Sequence, residues 1–306
     1  MKEPFAPSGI LLADKPAGLT TFDLIRRLEW RFRFHRIGHT GTLDPLATGL
    51  VVLCVNEATK LARYLGEGPK VYECGLRLGE RRDTLDADGS VTATAPVPAL
   101  DAACVQAALD RFVGDIAQVP PRYSAVKVDG ERLYRAARRG EEVDAPTRTV
   151  RIDRLELLSG AGADWHFRAT VSRGTYIRTL VDDLGVALGT YAHVTSLRRI
   201  ENGGFTVARA VNPEALPDGA ALAAALLSPR EAMQGFPTLA PDEAALALFR
   251  NGGFLPSAPE LPDGQPVVVL GPDGEVAGVA VPFQPKEGER VLKPERVLLA
   301  DLPTPR

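Results

Sequence analysis

Residues 38–49 read GHTGTLDPLATG, and the apolar run LVVLCV follows at residues 50–55. Three glycines and a proline in so short a stretch predict a loop, because these residues interrupt both helices and strands. The residue before a proline is restricted to extended geometry, so Asp44 is expected at a bend. The apolar run predicts a buried strand or the start of a packed helix, which would give the loop a rigid base.

Two interpretations of Asp44 follow from the loop alone. A carboxylate on a fixed loop, with no metal-ligand partners nearby, suits nucleophilic chemistry better than metal coordination. An aspartate before a proline also caps turns, and for an isolated Leu-Asp-Pro the turn cap is the commoner case. The pattern GHTGTLDPxAxG, followed by ATK at residues 58–60, closely resembles the catalytic motif of the TruB family of pseudouridine synthases. The resemblance implies that Asp44 is the catalytic aspartate.

The composition indicates a soluble globular protein. The chain has 306 residues, of which 45% are hydrophobic and 25% charged, enough for one large and one small domain. Its three cysteines are widely spaced and form no C-x-x-C pattern, so neither a disulfide framework nor a zinc site is indicated. The sequence contains no signal-peptide pattern and no apolar run of membrane-spanning length, so a cytoplasmic protein without membrane contact is expected.

Charge is unevenly distributed along the chain. Residues 1–240 carry 30 Lys and Arg against 29 Asp and Glu, whereas residues 241–306 carry 6 against 10. Five arginines between residues 26 and 36 form a basic cluster. Such a cluster is usually a solvated helix face. Because it is close in sequence to the loop that contains Asp44, it is also suited to binding the phosphates along an RNA backbone.

The N-terminal segment predicts a strand, a turn and a helix. Residues 9–21 read GILLADKPAGLTT, in which a Lys-Pro-x-Gly turn follows the strand and Thr20 or Thr21 caps a helix over about 22–30. The segment resembles the first TruB motif, GxxxxDKPxGxTS, and departs from it only in carrying Thr21 where serine is usual. Lys15 is expected to be an exposed turn lysine, with contact to an RNA phosphate as the alternative.

A second motif surrounds Tyr72. Residues 70–79 read KVYECGLRLG and alternate as a half-buried strand does. A tyrosine in such a strand is more often a packing residue than a catalytic one. The K-x-Y pattern, with DTLDADG at residues 83–89, again resembles the TruB family, in which the tyrosine stacks on the target base and is a proposed proton acceptor.

Residues 118–147 are expected to form an RNA-gripping insertion. A helix is predicted over 101–112 before it, and residues 131–140 predict a basic helix that ends at a glycine. Basic residues and tyrosines share this segment, as on surfaces that bind RNA through its backbone and by stacking. The pattern QxPPxYSAxKxxGxRxY resembles the mobile insertion with which TruB proteins hold RNA.

A third motif follows two predicted strands. Residues 172–185 read SxGTYIRxLxxDLG, a pattern that resembles the third TruB motif. The resemblance implies that Arg178 pairs with Asp44, and such a pair is expected to lower the pKa of Asp44 and keep it ionised. The segment HVTSLRR at 193–199 extends the resemblance, with Leu197 matching an apolar wall of the base pocket.

The remaining elements complete the predicted fold. Residues 236–306 resemble a small all-β PUA-type RNA-binding domain, although their acidic balance puts a strong phosphate grip in doubt. The resemblance implies an α+β pseudouridine-synthase fold over residues 1–235, with a large mixed, mainly antiparallel sheet flanked by helices. Strands are expected over 149–158, 165–171, 265–270, 275–283 and 290–299, helices over 176–189 and 242–250, and helical linker material over 211–239.

The implied reaction is the isomerisation of uridine to pseudouridine in the T-loop of tRNA, at position 55. It needs neither metal nor cofactor, and the sequence carries no cofactor motif. Asp44 is expected to attack or stabilise carbon 1′ of the ribose, Arg178 to orient Asp44, and Tyr72 to stack on the uracil. The other expected contacts are Tyr176 and Leu197, which wall the base, and His39, which stacks into the gap left when the base is flipped out.

Three alternatives remain open. A guide-RNA-dependent relative acting on ribosomal RNA would be expected to carry long basic tails, which this sequence lacks. A non-catalytic tRNA-binding or RNA-folding protein would not need Asp44, Tyr72 and Arg178 together. A glycoside or nucleoside hydrolase would need a second carboxylate as acid. We therefore expect a monomeric enzyme that binds tRNA without a guide RNA.

Overall fold

The computed structural model describes residues 4–128, 130–141, 143–257, 264–285 and 288–298. A main sheet of ten strands forms the framework, and a second sheet of five strands lies near the C-terminus. Helices pack on one face of the main sheet, and the second sheet packs against part of the other face. The predicted α+β class, with a large and mainly antiparallel sheet and a small C-terminal β unit, is confirmed.

The bounds of the elements are as follows. The strands of the described residues are β1 (Gly9–Lys15), β2 (Ile37–His39), β3 (Thr48–Val55), β4 (Lys70–Leu78), β5 (Glu80–Arg82), β6 (Val91–Thr94), β7 (Gly114–Gln118), β8 (Lys127–Val128), β9 (Glu131–Arg132), β10 (Arg148–Ala161), β11 (Asp164–Val171), β12 (Ala192–Asn202), β13 (Phe205–Thr206), β14 (Leu226–Leu227), β15 (Thr238–Leu239), β16 (Leu255–Pro256), β17 (Val267–Leu270), β18 (Val276–Phe283) and β19 (Val291–Val297). The helices are α1 (Thr21–Phe32), α2 (Ala62–Leu65), α3 (Ala102–Asp110), α4 (Leu133–Arg138), α5 (Ile177–Ala187), α6 (Gly219–Ala225), α7 (Pro229–Ala232) and α8 (Glu243–Arg250), with 3₁₀ helices at Asn56–Leu61, Val207–Arg209 and Pro213–Ala215.

Strand β3 lies in the middle of the molecule. The main sheet runs in the order β14-β1-β3-β12-β4-β11-β10-β7, with β2 added to β3 and β13 to β12. Val51 and Leu53 face the helices α1, α3 and α5, whereas Leu50 and Val52 face the second sheet. Because both faces of β3 are covered, its sequence is a continuous apolar run rather than an alternating one.

Helix α1 illustrates how local sequence sets an element. Thr20 and Asp23 form a capping box at its start, in which the Thr20 side chain accepts from the backbone N–H of Asp23 and Asp23 accepts from that of Thr20. Leu24 and Leu28 are buried against the main sheet. The predicted helix over 22–30 is present, and Thr20 is the residue that caps it.

Two predicted helical segments are partly wrong. Residues 211–239 were expected to be helical linker material, but Leu226–Leu227 pairs antiparallel with β1 as an edge strand. The basic helix predicted over 131–140 is Leu133–Arg138, because Glu131–Arg132 instead pairs with Lys127–Val128. Pairing with a distant or neighbouring strand overrides local propensity in both places.

The second sheet shares its core with the main sheet. Its strand order is β15-β17-β18-β19-β16, and Val268, Val276 and Val279 pack in one apolar cluster with Ile10 and Leu12 of β1. The sheet begins at Thr238; the domain boundary after residue 235 and the PUA-type assignment stay predictions. Residues 258–263, 286–287 and 299–306 of the predicted domain, including the last residue of the strand expected over 290–299, lie outside the described residues.

Candidate active site

Residues 40–47, which we call the Asp44 loop, lie against strands β4 and β12. The main support is Arg199 of β12, which is almost fully buried. Its guanidinium donates to the carbonyls of Gly41 at 3.0 Å, Thr42 at 3.3 Å and Leu50 at 2.7 Å. A buried guanidinium that donates hydrogen bonds to backbone carbonyls holds the loop in position, which is a structural role and not a catalytic one.

Helix α1 and strand β12 hold the loop at two further points. The Thr21 hydroxyl oxygen accepts from the Leu43 N–H at 2.9 Å, next to Asp44. The Asn202 side chain donates to the Thr40 hydroxyl at 3.0 Å, and Asn202 is fully buried. The Asp44 carbonyl accepts from the Ala47 N–H, so Asp44 stands at a turn, as its place before proline predicts.

Lys15 is buried, so its predicted exposure on a turn is wrong. It is 0% exposed, and its ammonium donates to the carbonyls of Pro16 at 2.9 Å, Leu19 at 2.7 Å and Pro45 at 3.5 Å. It lies at the end of β1, where alternation points its side chain inward. Burial lowers its pKa to about 8 against the opposing effect of Asp44. Lys15 therefore supports the Asp44 loop from beneath and does not present its charge at the surface.

Gly49 allows β3 and β12 to approach each other directly behind the loop. These strands run parallel, with Gly49 opposite Arg199. Gly49 has φ +98°, and a Cβ there would lie 2.3 Å from the Arg199 carbonyl oxygen. Glycine is required by both conformation and space, since other residues rarely adopt this φ.

Tyr72 and Leu197 face the loop from neighbouring strands. Tyr72 of β4 lies opposite Arg199, and Leu197 lies opposite Cys74, so all four side chains share one face of the sheet. Tyr72 and Leu197 are each 7% exposed. The register thus places an aromatic ring and an aliphatic side chain diagonally adjacent beside Asp44.

Arg178 connects the Asp44 loop to helix α5, in whose first turn it lies. Its Nε is 2.9 Å from Asp44 Oδ2, and its Nη1 is 3.5 Å from Asp86 Oδ2. The guanidinium also donates to the carbonyls of Thr84 and Tyr123, both at 2.8 Å. Arg178 is 4% exposed, so contacts from four sides leave it a single orientation.

The pKa of Asp44 is raised above its ordinary value, so the predicted net lowering is wrong. Burial is the largest cause, Arg178 opposes it, and the negative charge of Asp86 adds to it. The ion pair with Arg178 is present as the resemblance implies, and its effect on the pKa has the predicted sign. The Asp44 side chain keeps 37% of its exposure, yet the surrounding protein disfavours its charged form more than one nearby guanidinium favours it.

Tyr176 and His39 occupy the rim of the same region. Gln118 fixes the backbone of Tyr176, because its side chain accepts from the Tyr176 N–H at 2.7 Å and donates to the carbonyl at 3.0 Å. The Arg148 guanidinium lies 5.8 Å from the centre of the Tyr176 ring. His39 ends strand β2, and burial, followed by the charges of Arg199 and Arg132, lowers its pKa, which favours a neutral ring that can stack.

A cavity of about 400 Å³ brings these side chains together. Asp44 is the one carboxylate among the described residues that line it, and Asp86 stands behind Arg178. A single carboxylate held by a guanidinium next to an aromatic ring can act as a nucleophile, but a two-carboxylate hydrolase site is not formed. The predicted residues in the lining are His39, Asp44, Tyr72, Tyr176, Arg178 and Leu197; Lys15 is absent from it.

Metal and membrane features are absent from the part of the chain that the structure describes. No group of three or more His, Cys, Asp or Glu side chains there could hold a metal ion. No helix in those described ranges has the length and apolar character needed to cross a membrane.

Sequence reasoning assigned no role to several residues that build the site. Asp86, Lys70 and Gln118 each lie within a motif already singled out by its pattern, and Arg199 closes the HVTSLRR segment. Their contacts depend on which strands are neighbours, which a motif does not state. Arg199 lies between Arg198 and Ile200, and no local pattern there predicts that one arginine of the pair is buried.

Comparison with known proteins gives consistent matches over nearly the whole chain. The family description "TruB family pseudouridylate synthase (N terminal domain)" matches residues 29–177, and "tRNA pseudouridylate synthase B C-terminal domain" matches residues 178–246. The protein named tRNA pseudouridine synthase B from Burkholderia pseudomallei strain 668 is 45% identical over 302 residues, covering 96% of this chain and 98% of the relative. The protein of the same name from Xanthomonas campestris pv. campestris strain B100 is 44% identical over 277 residues, covering 89% of each.

A solved structure agrees at the level of the fold. The crystal structure of a Cbf5-Nop10-Gar1 complex contains a chain that matches with a TM-score of 0.73 at 23% identity, covering 95% of this chain and 85% of that one. At this identity the likeness concerns the fold alone. The sequence matches, which are far closer, together with the loop, tyrosine and arginine assembled around one cavity, carry the assignment: this chain belongs to the TruB family of pseudouridylate synthases.

Proposed function

We propose that this chain isomerises uridine to pseudouridine in the T-loop of tRNA, at position 55, with Asp44 as the nucleophile and without a cofactor. One observation carries the proposal: Asp44, held 2.9 Å from Arg178, lines a cavity with Tyr72 and Leu197. A relative covering 96% of the chain is named tRNA pseudouridine synthase B, which supports tRNA as the substrate. The name does not specify the role of Asp44 as nucleophile or the position of the uridine in the tRNA, and both belong to this proposal.

The reaction conserves every atom of the substrate. The bond between N1 of the uracil and carbon 1′ of the ribose breaks, the uracil turns over, and carbon 5 forms the new bond to carbon 1′. Carbon 5 loses its proton, and N1, which has lost its bond to carbon 1′, gains one, so no oxidant, reductant or group donor is consumed. The chain therefore needs to supply a nucleophile, a fixed charge environment and a place to hold the detached base.

Each cavity residue fits one of these needs. Ionised Asp44 attacks carbon 1′ or stabilises its developing positive charge. Arg178 fixes the direction of the carboxylate, because its guanidinium is itself held by two backbone carbonyls and Asp86. Tyr72 stacks on the uracil, and Tyr176 and Leu197 wall the base, so the freed base can turn without leaving. Tyr72 is also placed to take the proton from carbon 5 or from the sugar.

Access to the target requires the nucleotide to leave its loop, which costs a few kcal/mol. His39 at the end of β2 lines the cavity, and its neutral ring suits stacking in the space that the nucleotide vacates. The insertion over residues 118–147 contributes Ser124 and Ala125 to the cavity lining. It is tied to α5 where Arg178 donates to the Tyr123 carbonyl, so RNA held by the insertion would be presented directly to Arg178 and Asp44.

We further infer that the chain binds tRNA directly, as a cytoplasmic monomer without guide RNA. The relatives that it matches along nearly their whole length carry the tRNA enzyme's name, whereas the likeness to the Cbf5 complex concerns the fold. The C-terminal unit from residue 236 would act as a PUA-type RNA contact. Because this unit carries more acidic than basic residues, the contact would depend on complementary shape rather than on attraction between opposite charges.

Release of tritium from carbon 5 of uridine in an unmodified tRNA transcript tests the proposal. The intact protein, with no added guide or cofactor, is expected to release one equivalent per tRNA. Asp44→Asn should abolish release, whereas the control Asp115→Asn, which removes an exposed carboxylate from β7, should not. Tight binding of tRNA without release by the intact protein would instead point to an RNA-binding or RNA-folding protein and reject the enzyme.

A further inference from the structure

Lys70 is a buried lysine in the cavity with no counter-ion. It is 6% exposed and lies two residues before Tyr72 on β4, so both side chains point to the same face of the sheet. Its ammonium donates to the Gly66 carbonyl at 3.3 Å. No carboxylate of the described residues forms an ion pair with it.

The surroundings of Lys70 are positively charged. A Cβ added to Gly41 of the Asp44 loop would lie 3.6 Å from Arg199 Nη1 and 3.9 Å from Lys70 Cε, which places the two cations side by side under the loop. Burial, then the charge of Arg199 and then that of Arg173, lower the pKa of Lys70 to about 8. Like charges have been brought together at this end of the cavity at a cost in stability.

The charges that line the cavity do not balance. Its lining contains Lys70, Arg173, Arg178 and Arg199 against the single carboxylate of Asp44. Arg178 is bound to Asp44, and Arg199 is bound to three backbone carbonyls. Arg173 is exposed and has no ion pair within the described ranges. Among the described residues, Lys70 and Arg173 are thus left without an anionic partner.

A buried ammonium without a counter-ion destabilises the folded protein unless an anion joins it. An RNA nucleotide brings such an anion, since a phosphate flanks its ribose on each side. A flipped-out uridine with carbon 1′ at Asp44 and its ring against Tyr72 and Leu197 must pass its backbone along the cavity wall.

We propose that Lys70 and Arg173 form an anion site for one of the two phosphates that flank the target uridine. This inference rests on the proposed function, because it supposes an RNA nucleotide in the cavity. Lys70 supplies the charge-assisted hydrogen bond from the floor, and Arg173 supplies the second charge from the rim. Clamping the phosphate fixes the ribose relative to Asp44, so Lys70 is a positioning residue for the nucleophilic step.

The test uses single-turnover tritium release from a T-loop RNA hairpin at increasing enzyme concentrations, which gives a half-saturating concentration and a maximal rate. Three RNAs are compared: one unsubstituted, one with a neutral methylphosphonate on the 5′ side of the target uridine, and one with it on the 3′ side. The proteins are the intact chain, Lys70→Met, Arg173→Met, and Arg111→Met as a control that removes an exposed arginine at the end of helix α3. Thermal unfolding checks that each variant is folded.

Lys70→Met is expected to raise the half-saturating concentration for the unsubstituted RNA by roughly 10- to 100-fold, the size of a lost charge-assisted hydrogen bond. One of the two methylphosphonates should have a similar effect on the intact protein and no further effect on Lys70→Met. Arg173→Met should show the same loss of sensitivity to a smaller degree, and Arg111→Met should behave as the intact chain.

The inference is overturned if Lys70→Met and Arg173→Met match the intact protein on the unsubstituted RNA. It is also overturned if their effects multiply with those of both methylphosphonates, because the lysine and the phosphates then act independently. If Lys70→Met does not fold, Arg173→Met decides by the same criterion. Absence of tritium release from the unsubstituted RNA by the intact protein would reject the proposed function, which is a separate result.

Discussion

Asp44 and Asp86 contact the same guanidinium from different sides. Arg178 lies 2.9 Å from Asp44 Oδ2 and 3.5 Å from Asp86 Oδ2, and Asp86 is held in turn by the Thr84 hydroxyl at 2.6 Å. Arg178 therefore links the position of the 83–89 segment to that of the Asp44 carboxylate. The negative charge of Asp86 also reaches Asp44 and raises its pKa.

Replacing Asp86 should consequently change the acid side of the pH profile. If ionised Asp44 is needed, kcat/KM falls at low pH with the pKa of Asp44 in the free enzyme. Asp86→Asn removes a charge that raises this pKa, so the acid limb should move to lower pH, while the maximal rate falls because Arg178 loses a partner. Initial rates of tritium release between pH 4 and 8 measure both effects. An acid limb that moves to higher pH would contradict the charge assignment.

Asp44→Asn should leave the fold intact or strengthen it. The pKa of Asp44 is raised in the folded protein, so the stability linked to its protonation is fully present below its ordinary value of 3.8 and is lost as pH rises through the folded pKa. Asparagine does not titrate and avoids that loss, and Arg178 keeps Asp86 and two carbonyls. The melting temperature of Asp44→Asn relative to the intact chain should thus be higher at pH 7 than at pH 3.5. A large drop in melting temperature at pH 7 would mean that Asp44 is needed for folding.

At the scale of elements, the Asp44 loop is fixed from several directions. Helix α1 supports it through Thr21, β1 through Lys15, and β12 through Arg199 and Asn202. These supports come from segments separated by up to about 190 residues of sequence, so the loop can be placed only when the main sheet has formed. Catalysis and tertiary structure are therefore coupled through this loop.

Substitutions at two neighbouring threonines distinguish the stability of helix α1 from the position of the Asp44 loop. Thr20→Val removes the capping box of α1 and should lower the free energy of unfolding by about 0.5–2 kcal/mol with kcat unchanged. Thr21→Val leaves the buried Leu43 N–H without a partner and should lower the free energy of unfolding by about 1–3 kcal/mol. It should also lower kcat, because the residue next to Leu43 is Asp44. Denaturant unfolding and tritium release measure the two quantities, and equal kcat values for both variants would argue against the loop as the link.

Local pattern predicted many of the elements, but the contacts that support them depend on tertiary pairing. The apolar run 50–55 predicted a buried strand or the start of a helix, a cap at Thr20 or Thr21 predicted α1, and the three motifs predicted residues that line one cavity. Lys15 could not be assigned because its burial depends on β1 lying beneath Pro45. Likewise the roles of Lys70, Arg199 and Asn202 depend on the register of β4 with β12. The predicted direction of the Asp44 pKa shift was wrong because the sequence indicates a charged partner but does not show how far the surrounding protein encloses the carboxylate.

At the scale of the whole molecule, the two sheets are not independent. Ile10, Leu50 and Val52 of the main sheet share an apolar cluster with Val268 and Val279 of the second. Tyr64 donates to Glu295 at 2.7 Å and Lys60 to the Val297 carbonyl at 2.8 Å across the same contact. Strands β1 and β3 also provide contacts that hold the Asp44 loop in place, through Lys15 and the Leu50 carbonyl. The second sheet therefore stabilises the cavity although none of its described residues lines it.

A fragment ending at residue 235 should therefore be unstable. Without the second sheet, the fragment would expose apolar side chains of β1 and β3 that are buried in the intact chain. We expect a lower melting temperature, aggregation, and loss of tritium release even from a short T-loop hairpin. Thermal unfolding and size-exclusion chromatography measure this. A fragment that is monomeric, melts at the temperature of the intact chain and modifies the hairpin would contradict the shared core.

The most direct test of the central claim is to locate the product in the RNA. An unmodified tRNA transcript is treated with the intact protein or with Asp44→Asn, and pseudouridine is then mapped by carbodiimide labelling and primer extension. We predict one new stop, reporting position 55 of the T-loop, with the intact protein and none with Asp44→Asn. A stop elsewhere in the tRNA, no stop, or an equal stop with Asp44→Asn would contradict the assignment of this cavity as the site of uridine isomerisation.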